Sequence, residues 1–240
     1  RLHAGASGLL LPPSIDPFSA KNQVLAEHCA RVILGQIGVI HTTAADPCTF
    51  TREDGTPGRV DRVAEVIRKG GPPPDSTPLV VQVSRWDRLK DPRGVLAGFA
   101  QLDAHEARGA HLVLAGPSVR GVADDPEGEA VLAEVIAQWK RLPEDKRRCV
   151  HLVSLPTLDV EENAVMVNAL QRHAAVIVQK SLHEGVGLTV AEAMWKGKPV
   201  VASAVGGIQD QIDDGVQGLL IRDPEDLDDF AAVLARVLAD

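Results

Sequence analysis

The sequence predicts an α/β protein built on a doubly wound parallel sheet of about six strands. Short apolar runs alternate with longer amphipathic stretches from residue 79 to the end of the chain. Strands separated in this way by helices line up in one parallel sheet with helices on both faces. A chain of 240 residues, 45% of them apolar, is long enough to bury a sizeable core under such a sheet.

The regular part of the pattern defines the elements. The predicted strands are Leu79–Val83, Ala110–Ala115, Val150–Val153, Ala174–Val178, Val200–Ala202 and Gly218–Ile221. Apolar residues at helical spacing predict helices at Asp91–Ala107, Asp124–Arg141, Asp159–Gln171, Leu188–Trp195 and Pro224–Leu238, with a helical turn at Ile208–Ile212. Each strand is therefore followed by a helical segment, as a doubly wound sheet requires.

The first 78 residues are less regular. Leu9–Leu11 is compatible with a strand or a linker, and Ser19 or Asn22 is a candidate cap for a helix that ends near Gln36. Residues 41–58 read as a loop, Val60–Lys69 as a short amphipathic helix, and 70–78 as a turn-rich linker. We assign residues 1–20 to a linker or tail and residues 21–240 to one domain.

Charge and cysteine content restrict the partners and the compartment. A net charge of −8 disfavours a nucleic-acid partner, which would require a basic face. No apolar run approaches the roughly 20 residues that span a bilayer, so no membrane partner is expected. The three cysteines (Cys29, Cys48 and Cys149) are scattered and odd in number, which predicts no disulfide framework and a reducing, cytoplasmic location. Cys29 and Cys48, with His28 and His41, fit no zinc-binding spacing, and we interpret them as structural.

The stretch from Lys180 to Pro199 carries the strongest functional signal. Glu184 follows a predicted strand, residues 185–189 form a glycine-rich turn that opens a helix, and Glu192 lies about one turn into that helix. Ligands of open parallel sheets bind at this edge, and free N–H groups at a helix N-terminus attract anions. Both carboxylates can accept hydrogen bonds from sugar hydroxyls there. The alternative is an ordinary strand-turn-helix with two solvated glutamates.

A second signal follows the first strand of the regular part. Arg85 and Lys90 stand between that strand and the next helix, where their charges can clamp a diphosphate. Such a clamp would stabilise the negative charge that builds up on a departing nucleotide. The alternative is a solvated basic loop. Gly116-Pro117 ends the second strand and could wall the same crevice, and at Leu155, which ends the third, backbone atoms could meet a base. Gly206-Gly207 follows the fifth strand, where paired glycines permit close backbone approach to a ligand, with a bare turn as the alternative.

Three common catalytic signatures are missing from the sequence. There is no G-x-G-x-x-G after a strand and no G-x-x-x-x-G-K-[ST] loop, which disfavours hydride transfer and P-loop phosphoryl transfer. There is also no G-x-S-x-G elbow, which disfavours a serine hydrolase.

The two signals together resemble the retaining glycosyltransferases of family 4, whose GT-B architecture has two Rossmann-like domains. The resemblance rests on Glu184-x7-Glu192 with Arg85-x4-Lys90 upstream. It is closest to glycosyl-transferring trehalose synthases and trehalose phosphorylases. That likeness rests on Pro13–Pro17 with Lys21-Asn22, Gln82–Val95, Asp124–Gly128, Trp195–Ala202 and Gly206–Asp210. Val186 departs from the pattern, because many relatives have an aromatic residue there.

The resemblance implies a role for each site residue. Arg85 and Lys90 would hold the donor diphosphate, and Glu184 would bind the donor sugar hydroxyls. The backbone N–H groups of the turn would face sugar and phosphate, and Glu192 would accept the ribose hydroxyls. The turn consists of Gly185, Val186, Gly187, Leu188 and Thr189. No metal or other cofactor is implied, because the cationic side chains neutralise the leaving group.

The resemblance also implies what the chain does. It would be the C-terminal, donor-binding half of a GT-B glucosyltransferase that uses UDP-glucose or ADP-glucose to make trehalose or a related glucoside. The acceptor would bind through a missing N-terminal domain, so this chain alone should bind nucleotide and turn over nothing. A trehalose phosphorylase and a non-catalytic nucleotide-sugar binding module remain alternatives, and a homodimer stays open.

Overall fold

The computed structural model describes residues 13–44, 46–119 and 126–240. Its strands are β1 Phe50–Thr51, β2 Pro57–Gly58, β3 Glu65–Ile67, β4 Leu79–Val83, β5 His111–Pro117, β6 Val150–Leu155, β7 Val176–Gln179, β8 Val200–Ser203 and β9 Leu219–Ile221. Its α-helices are α1 Glu27–Gln36, α2 Pro92–Gln101, α3 Ala104–Ala107, α4 Pro126–Arg141, α5 Glu144–Arg148, α6 Val160–His173, α7 Leu188–Trp195 and α8 Leu227–Ala239. None of the helices in these ranges is long and apolar enough to cross a membrane.

One seven-stranded sheet forms the centre of the fold, in the order β3-β6-β5-β4-β7-β8-β9. All neighbouring pairs are parallel except β3 with β6. Both faces of the sheet are buried, since Leu79 and Val81 belong to one hydrophobic cluster and Val80, between them, to the other. Burial on both faces explains why the strands are continuous apolar runs. The predicted α/β fold class is confirmed, with seven strands rather than about six.

The predicted helix over Val60–Lys69 is wrong. Within it, β3 runs antiparallel to β6, with Glu65 opposite Ser154 and Ile67 opposite Leu152. The free edge of β6 offers a hydrogen-bonding ladder to a segment that ends in the β-branched residues Val66 and Ile67. This tertiary pairing overrides a short amphipathic pattern.

Other boundaries differ in smaller ways. The first helix begins at Glu27, while the side chain of the expected cap Asn22 donates to the main-chain oxygen of Asp16. The expected helix over residues 91–107 divides into α2 and α3, because Asp103 forms a capping box that starts a new helix. Gly206–Ile208 is a 3₁₀ turn, and β1 and β2 form a small hairpin within the expected loop 41–58. The segment Leu9–Leu11 and the first two residues of the predicted helix Asp124–Arg141 lie outside the described residues.

Two of the cysteines form a disulfide, contrary to the sequence prediction. Cys29 on α1 is bonded to Cys48 in the following loop. The two residues are 19 positions apart, and the loop that returns to α1 brings them together. Cys149 is free. Cysteine count and spacing carried no information on this tertiary contact.

A buried ion pair joins the end of β7 to the start of α2 at the carboxyl edge of the sheet. The ammonium of Lys180, directly after β7, contacts Asp91 Oδ2, and the Lys180 side chain is fully buried. Asp91 adopts a left-handed conformation (φ 45°) and its Oδ1 caps α2 through the N–H of Gly94 at 2.9 Å. No room exists for a side chain at Gly94, since an added Cβ would lie 1.9 Å from Asp91 Oδ2. The pair therefore fixes the start of α2, and with it the preceding residue Lys90, against β7.

Two histidines stack in the sheet between β5 and β6. The rings of His111 and His151 lie 5.1 Å apart, with 2.9 Å between Nδ1 of His111 and Nε2 of His151. Burial lowers the pKa of His111 and, with the neighbouring charges of His111 and Arg68, lowers the pKa of fully buried His151 to about 3. Both rings are therefore neutral in the folded protein near neutral pH.

The substitution Asp91→Asn should destabilise the fold by about 3 kcal/mol, because it leaves Lys180 charged and buried without its partner. Asparagine caps helices and tolerates the left-handed region, so the loss reports the ion pair alone. Urea denaturation measures it, with Asp226→Asn at the cap of α8 as the matched control. Equal losses in the two variants would contradict the importance of the Lys180–Asp91 pair.

Acid should destabilise the fold through the histidine pair. The pKa of His151 in the folded protein lies below its ordinary value. The contribution of this histidine to stability is therefore complete above about pH 6.5 and is lost as the pH falls toward 3. For His151 this amounts to about 2 kcal/mol at pH 5. In His151→Gln the loss between pH 7.5 and 5 should shrink by that amount, whereas the exposed control His105→Gln should keep the wild-type slope. An unchanged slope in His151→Gln would show that His151 is not the responsible group.

Candidate functional site

A cleft of about 450 Å³ opens at the carboxyl ends of the central parallel strands. Four residues that the sequence singled out line it: Arg85, Lys90, Leu155 and Thr189. Gly116 and Pro117, the expected wall, also line it. Leu155 is only 1% exposed, so it forms a buried part of the cleft wall. The loop after β4, the ends of β5 and β6 and the start of α7 thus meet around one cavity.

Arg85 lies at the rim of the cleft. Its side chain is 72% exposed, and its Nη2 lies 2.9 Å from Oδ2 of Asp87. The next residue, Trp86, is buried and donates from Nε1 to the main-chain oxygen of Pro117 at 2.9 Å. The backbone beneath Arg85 is therefore fixed, while its guanidinium remains largely in solvent.

Lys90, on the cleft wall, forms an ion pair with Glu184, which does not itself line the cleft. The ammonium of Lys90 contacts Oε2 of Glu184, and the two side chains are 19% and 13% exposed. Gln82 Nε2 donates to the main-chain oxygen of Lys90 at 2.7 Å, so a buried strand residue holds the lysine backbone. The two charges that were predicted to meet at this edge are therefore in direct contact.

Three further groups orient the carboxylate of Glu184. Its Oε2 accepts hydrogen bonds from Gln179 Nε2 at 3.2 Å and Ser181 Oγ at 3.3 Å. Its Oε1 lies 3.2 Å from the backbone nitrogen of Gly185. Oε1 of Gln179, which lines the cleft, is buried and has no hydrogen-bond partner among the described residues. An unpaired buried acceptor thus lies beside Glu184.

The turn that follows Glu184 is braced by the loop after β8. Gly187 has φ 80° and precedes α7, and the backbone nitrogen of Gly207 donates to the oxygen of Gly185 at 2.8 Å. A Cβ on Gly206 would lie 1.7 Å from the main-chain oxygen of Glu184, so only glycine permits this approach. Gln211 Nε2 also donates to the oxygen of Val186. The N-terminus of α7 is therefore rigidly presented to the cleft, with Leu188 38% exposed and Thr189 on the cleft wall.

Glu192 was expected to face the crevice, but it lies behind the cleft wall. The residue is 4% exposed. Its Oε1 lies 2.7 Å from the ammonium of Lys21, and its Oε2 accepts from Gln171 Nε2 at 3.0 Å. Close by, burial lowers the pKa of Lys196 to about 8. The predicted ribose acceptor is thus already paired with a cation from the N-terminal segment.

Several contributors were not singled out from the sequence. Lys21, Gln82, Gln171, Gln179 and Ser181 all contact or support the predicted residues. One signal was available, since Gln179, Lys180 and Ser181 form a polar run at the end of an apolar strand. Lys21 belongs to a motif that carries the family resemblance, but no role in the site followed from it, and for Gln171 no local pattern points to the site.

The described residues contain one group of His, Cys, Asp or Glu side chains close enough together to hold a metal ion. It consists of His28, Cys29 and Cys48. Cys29 and Cys48 form the disulfide, and none of the three lines the cleft.

Comparison with known proteins agrees with this geometry. The chain is 35% identical to the trehalose synthase of Rubrobacter xylanophilus over 96% of its own length and 44% of the relative. It is 34% identical to the trehalose synthase of Pyrococcus horikoshii, over 90% of this chain and 41% of the relative. The chain thus spans less than half the length of these curated relatives.

Solved structures show the same fold. Sucrose-phosphate synthase from Thermosynechococcus elongatus superposes with a TM-score of 0.55 at 30% identity, over 70% of this chain and 37% of that one. Anabaena HepE in complex with UDP-glucose superposes with a TM-score of 0.54 at 22% identity, over 68% and 39% of the two chains. Residues 77–240 match the family model described as glycosyl transferases group 1, which confirms the predicted resemblance. The chain belongs to the group 1 glycosyl transferases.

Proposed function

We propose that this chain is the donor-binding part of a retaining glucosyltransferase that takes glucose from a nucleotide sugar to form trehalose or a related glucoside. The observation that carries the proposal is the shared cleft of Arg85, Lys90 and Thr189, with Glu184 bound to Lys90. The cleft combines cations for a diphosphate, a helix N-terminus for an anion and a carboxylate for hydroxyls. A nucleotide sugar carries both a diphosphate and sugar hydroxyls, so it matches these protein groups.

Each group has one task in this proposal. The Lys90 ammonium can keep Glu184 and still donate to a phosphate oxygen, since it has three hydrogen-bond donors. Arg85 at the rim closes on the diphosphate, and Glu184 with the free Oε1 of Gln179 accepts hydroxyls of the donor sugar. The backbone N–H groups of Gly185, Val186, Gly187, Leu188 and Thr189 face the sugar and the phosphates. Glu192 accepts the ribose hydroxyls, and Leu155 lies under the base.

Charge stabilisation is the chemistry that this arrangement supplies. As the bond between glucose and diphosphate breaks, negative charge grows on the departing phosphate beside Lys90 and Arg85. Fixed cations stabilise that charge with little reorganisation. We propose that these side chains suffice and that no metal or further cofactor is needed.

Several parts of the proposal concern the whole enzyme. The acceptor sugar binds through a domain beyond this chain, and the likeness to trehalose synthases supports a glucose acceptor. A trehalose phosphorylase from Pleurotus pulmonarius is 29% identical over 67% of this chain, which keeps phosphorolysis as the second candidate. A homodimer stays a prediction. Phosphate-dependent release of glucose 1-phosphate from trehalose by the whole enzyme separates the two reactions.

A cytoplasmic location is also proposed, although the Cys29–Cys48 disulfide removes the cysteine argument for it. Blocking free thiols at the moment of cell lysis decides the point. Labelling of Cys29 and Cys48 would indicate a reducing compartment, whereas protection until reduction would indicate an oxidising one.

The alanine variant of Arg85 tests the clamp. Isothermal titration of the wild-type chain with UDP, ADP and GDP should identify a diphosphate that binds, and Arg85→Ala should weaken it by roughly 10- to 100-fold. The loss arises because charge-assisted hydrogen bonds to phosphate disappear. The control is Arg93→Ala, since Arg93 is also exposed but pairs with Glu134 outside the cleft.

Two results would contradict the proposal. Failure of all three diphosphates to bind the wild-type chain would favour a structural role. Equal affinities of wild type and Arg85→Ala would remove Arg85 from the diphosphate site.

A further inference from the structure

The N-terminal segment contributes a cation to the back of the cleft. The side chain of Glu192 is 6% exposed, and its Oε1 is 2.7 Å from the Lys21 ammonium. A carboxylate buried to this extent requires a compensating charge and hydrogen bonds to remain ionised. Lys21 supplies the charge, and Gln171 Nε2 supplies a hydrogen bond to Oε2 at 3.0 Å.

The pair lies directly behind the cleft wall. Lys21 itself lines the cleft and is 38% exposed. Thr189, three residues before Glu192 on α7, and Val167, four residues before Gln171 on α6, also line it. Residues three or four apart are neighbours on a helix surface, so Glu192 and Gln171 lie one turn from the wall. The carboxylate and the ammonium therefore meet where the cleft ends.

The loop that carries Lys21 is fixed on both sides of this residue. Asn168 Nδ2 on α6 donates to the main-chain oxygens of Ala20 at 3.1 Å and Gln23 at 3.0 Å. Buried Asn22 accepts at Oδ1 from the ammonium of Lys196 at 2.8 Å. The loop is thus tied to the helices that bear Glu192 and Gln171. Such a second layer of contacts is what holds a binding group in one geometry.

From these contacts we infer that Lys21 is a positioning residue of the nucleotide site, which holds the Glu192 carboxylate in place as the acceptor for the ribose hydroxyls. The inference rests on the proposed nucleotide-sugar function and adds a residue to it. Two other roles for Lys21 give different results. A gate that covers Glu192 would compete with the ribose, and a direct phosphate contact would act without regard to the ribose hydroxyls.

Titration with matched nucleotides separates these roles. The wild-type chain, Lys21→Met, Lys21→Arg and the exposed control Lys140→Met are titrated with UDP and ADP and with the 2′,3′-dideoxy form of each. Thermal unfolding of every variant verifies that it is folded. Methionine keeps the apolar stem of Lys21 and removes only its charge, whereas arginine preserves an ion pair with the carboxylate.

The expected result is a loss confined to ribose-containing ligands. Lys21→Met should bind the diphosphate that wild type prefers about 10-fold more weakly, the effect of losing a charged acceptor for a hydroxyl. It should bind the dideoxy form as wild type does. Lys21→Arg should stay within about 3-fold of wild type for both ligands, a change of under 1 kcal/mol, and Lys140→Met should change neither affinity.

Three outcomes overturn the inference while the proposed function stands. Tighter binding by Lys21→Met indicates a gate, equal losses on the ribose and dideoxy forms indicate a phosphate contact, and unchanged affinities assign Lys21 to folding alone. If the wild-type chain binds none of the ligands, the proposed function fails first. If it binds a diphosphate and its dideoxy form equally well, the ribose role of Glu192 is wrong and this inference falls with it.

Discussion

The carboxyl edge of the sheet depends on charge compensation between lysines and carboxylates that are distant in sequence. Lys180 binds Asp91, Lys90 binds Glu184 and Lys21 binds Glu192. At least one side chain of each pair is wholly or largely buried. Buried charges of one sign would repel and would cost several kcal/mol each. Pairing allows this many polar groups to gather at one edge of an apolar sheet.

The three pairs do different work because they differ in depth. Lys180 is fully buried, so its pairing with Asp91 serves the backbone geometry of the α2 N-terminus. Lys90 and Glu184 both retain some exposure, and Lys90 lines the cleft, so this pair can exchange part of its contact for a ligand. Lys21 and Glu192 combine the most exposed lysine of the three pairs with the most buried carboxylate. The same kind of lysine–carboxylate pair therefore supports the backbone at one position and offers a binding group at another.

Parallel topology explains which parts of this arrangement were predictable. A strand buried on both faces is a continuous apolar run, so β4–β9 could be located, and the residue after each strand necessarily lies at the carboxyl edge. The convergence of Arg85, Lys90 and Glu184 on that edge follows from this rule. The geometry of the turn also follows locally, since Gly187 occupies the left-handed region.

Contacts that depend on the return of a distant segment were not predictable. Lys21 meets Glu192 because Asn168 and Lys196 anchor the loop around it, and nothing in the neighbourhood of Lys21 indicates this. The sequence failed to predict the Cys29–Cys48 disulfide and the pairing of β3 with β6 for the same reason. In each case the local pattern was weak or ambiguous, and the tertiary partner decided the outcome.

The groups proposed to bind a donor differ in how firmly the fold holds them. Lys90, Glu184 and the glycine turn are held by Gln82, Gln179 and the loop after β8, so they need little ordering when a ligand arrives. Arg85 is 72% exposed, and a long side chain that becomes fixed loses up to about 2 kcal/mol of rotamer entropy. In the proposed function, a contact of Arg85 with a diphosphate would have to exceed that cost. The rigid groups below the cleft would then carry most of the recognition, and Arg85 at the rim would close over the phosphates.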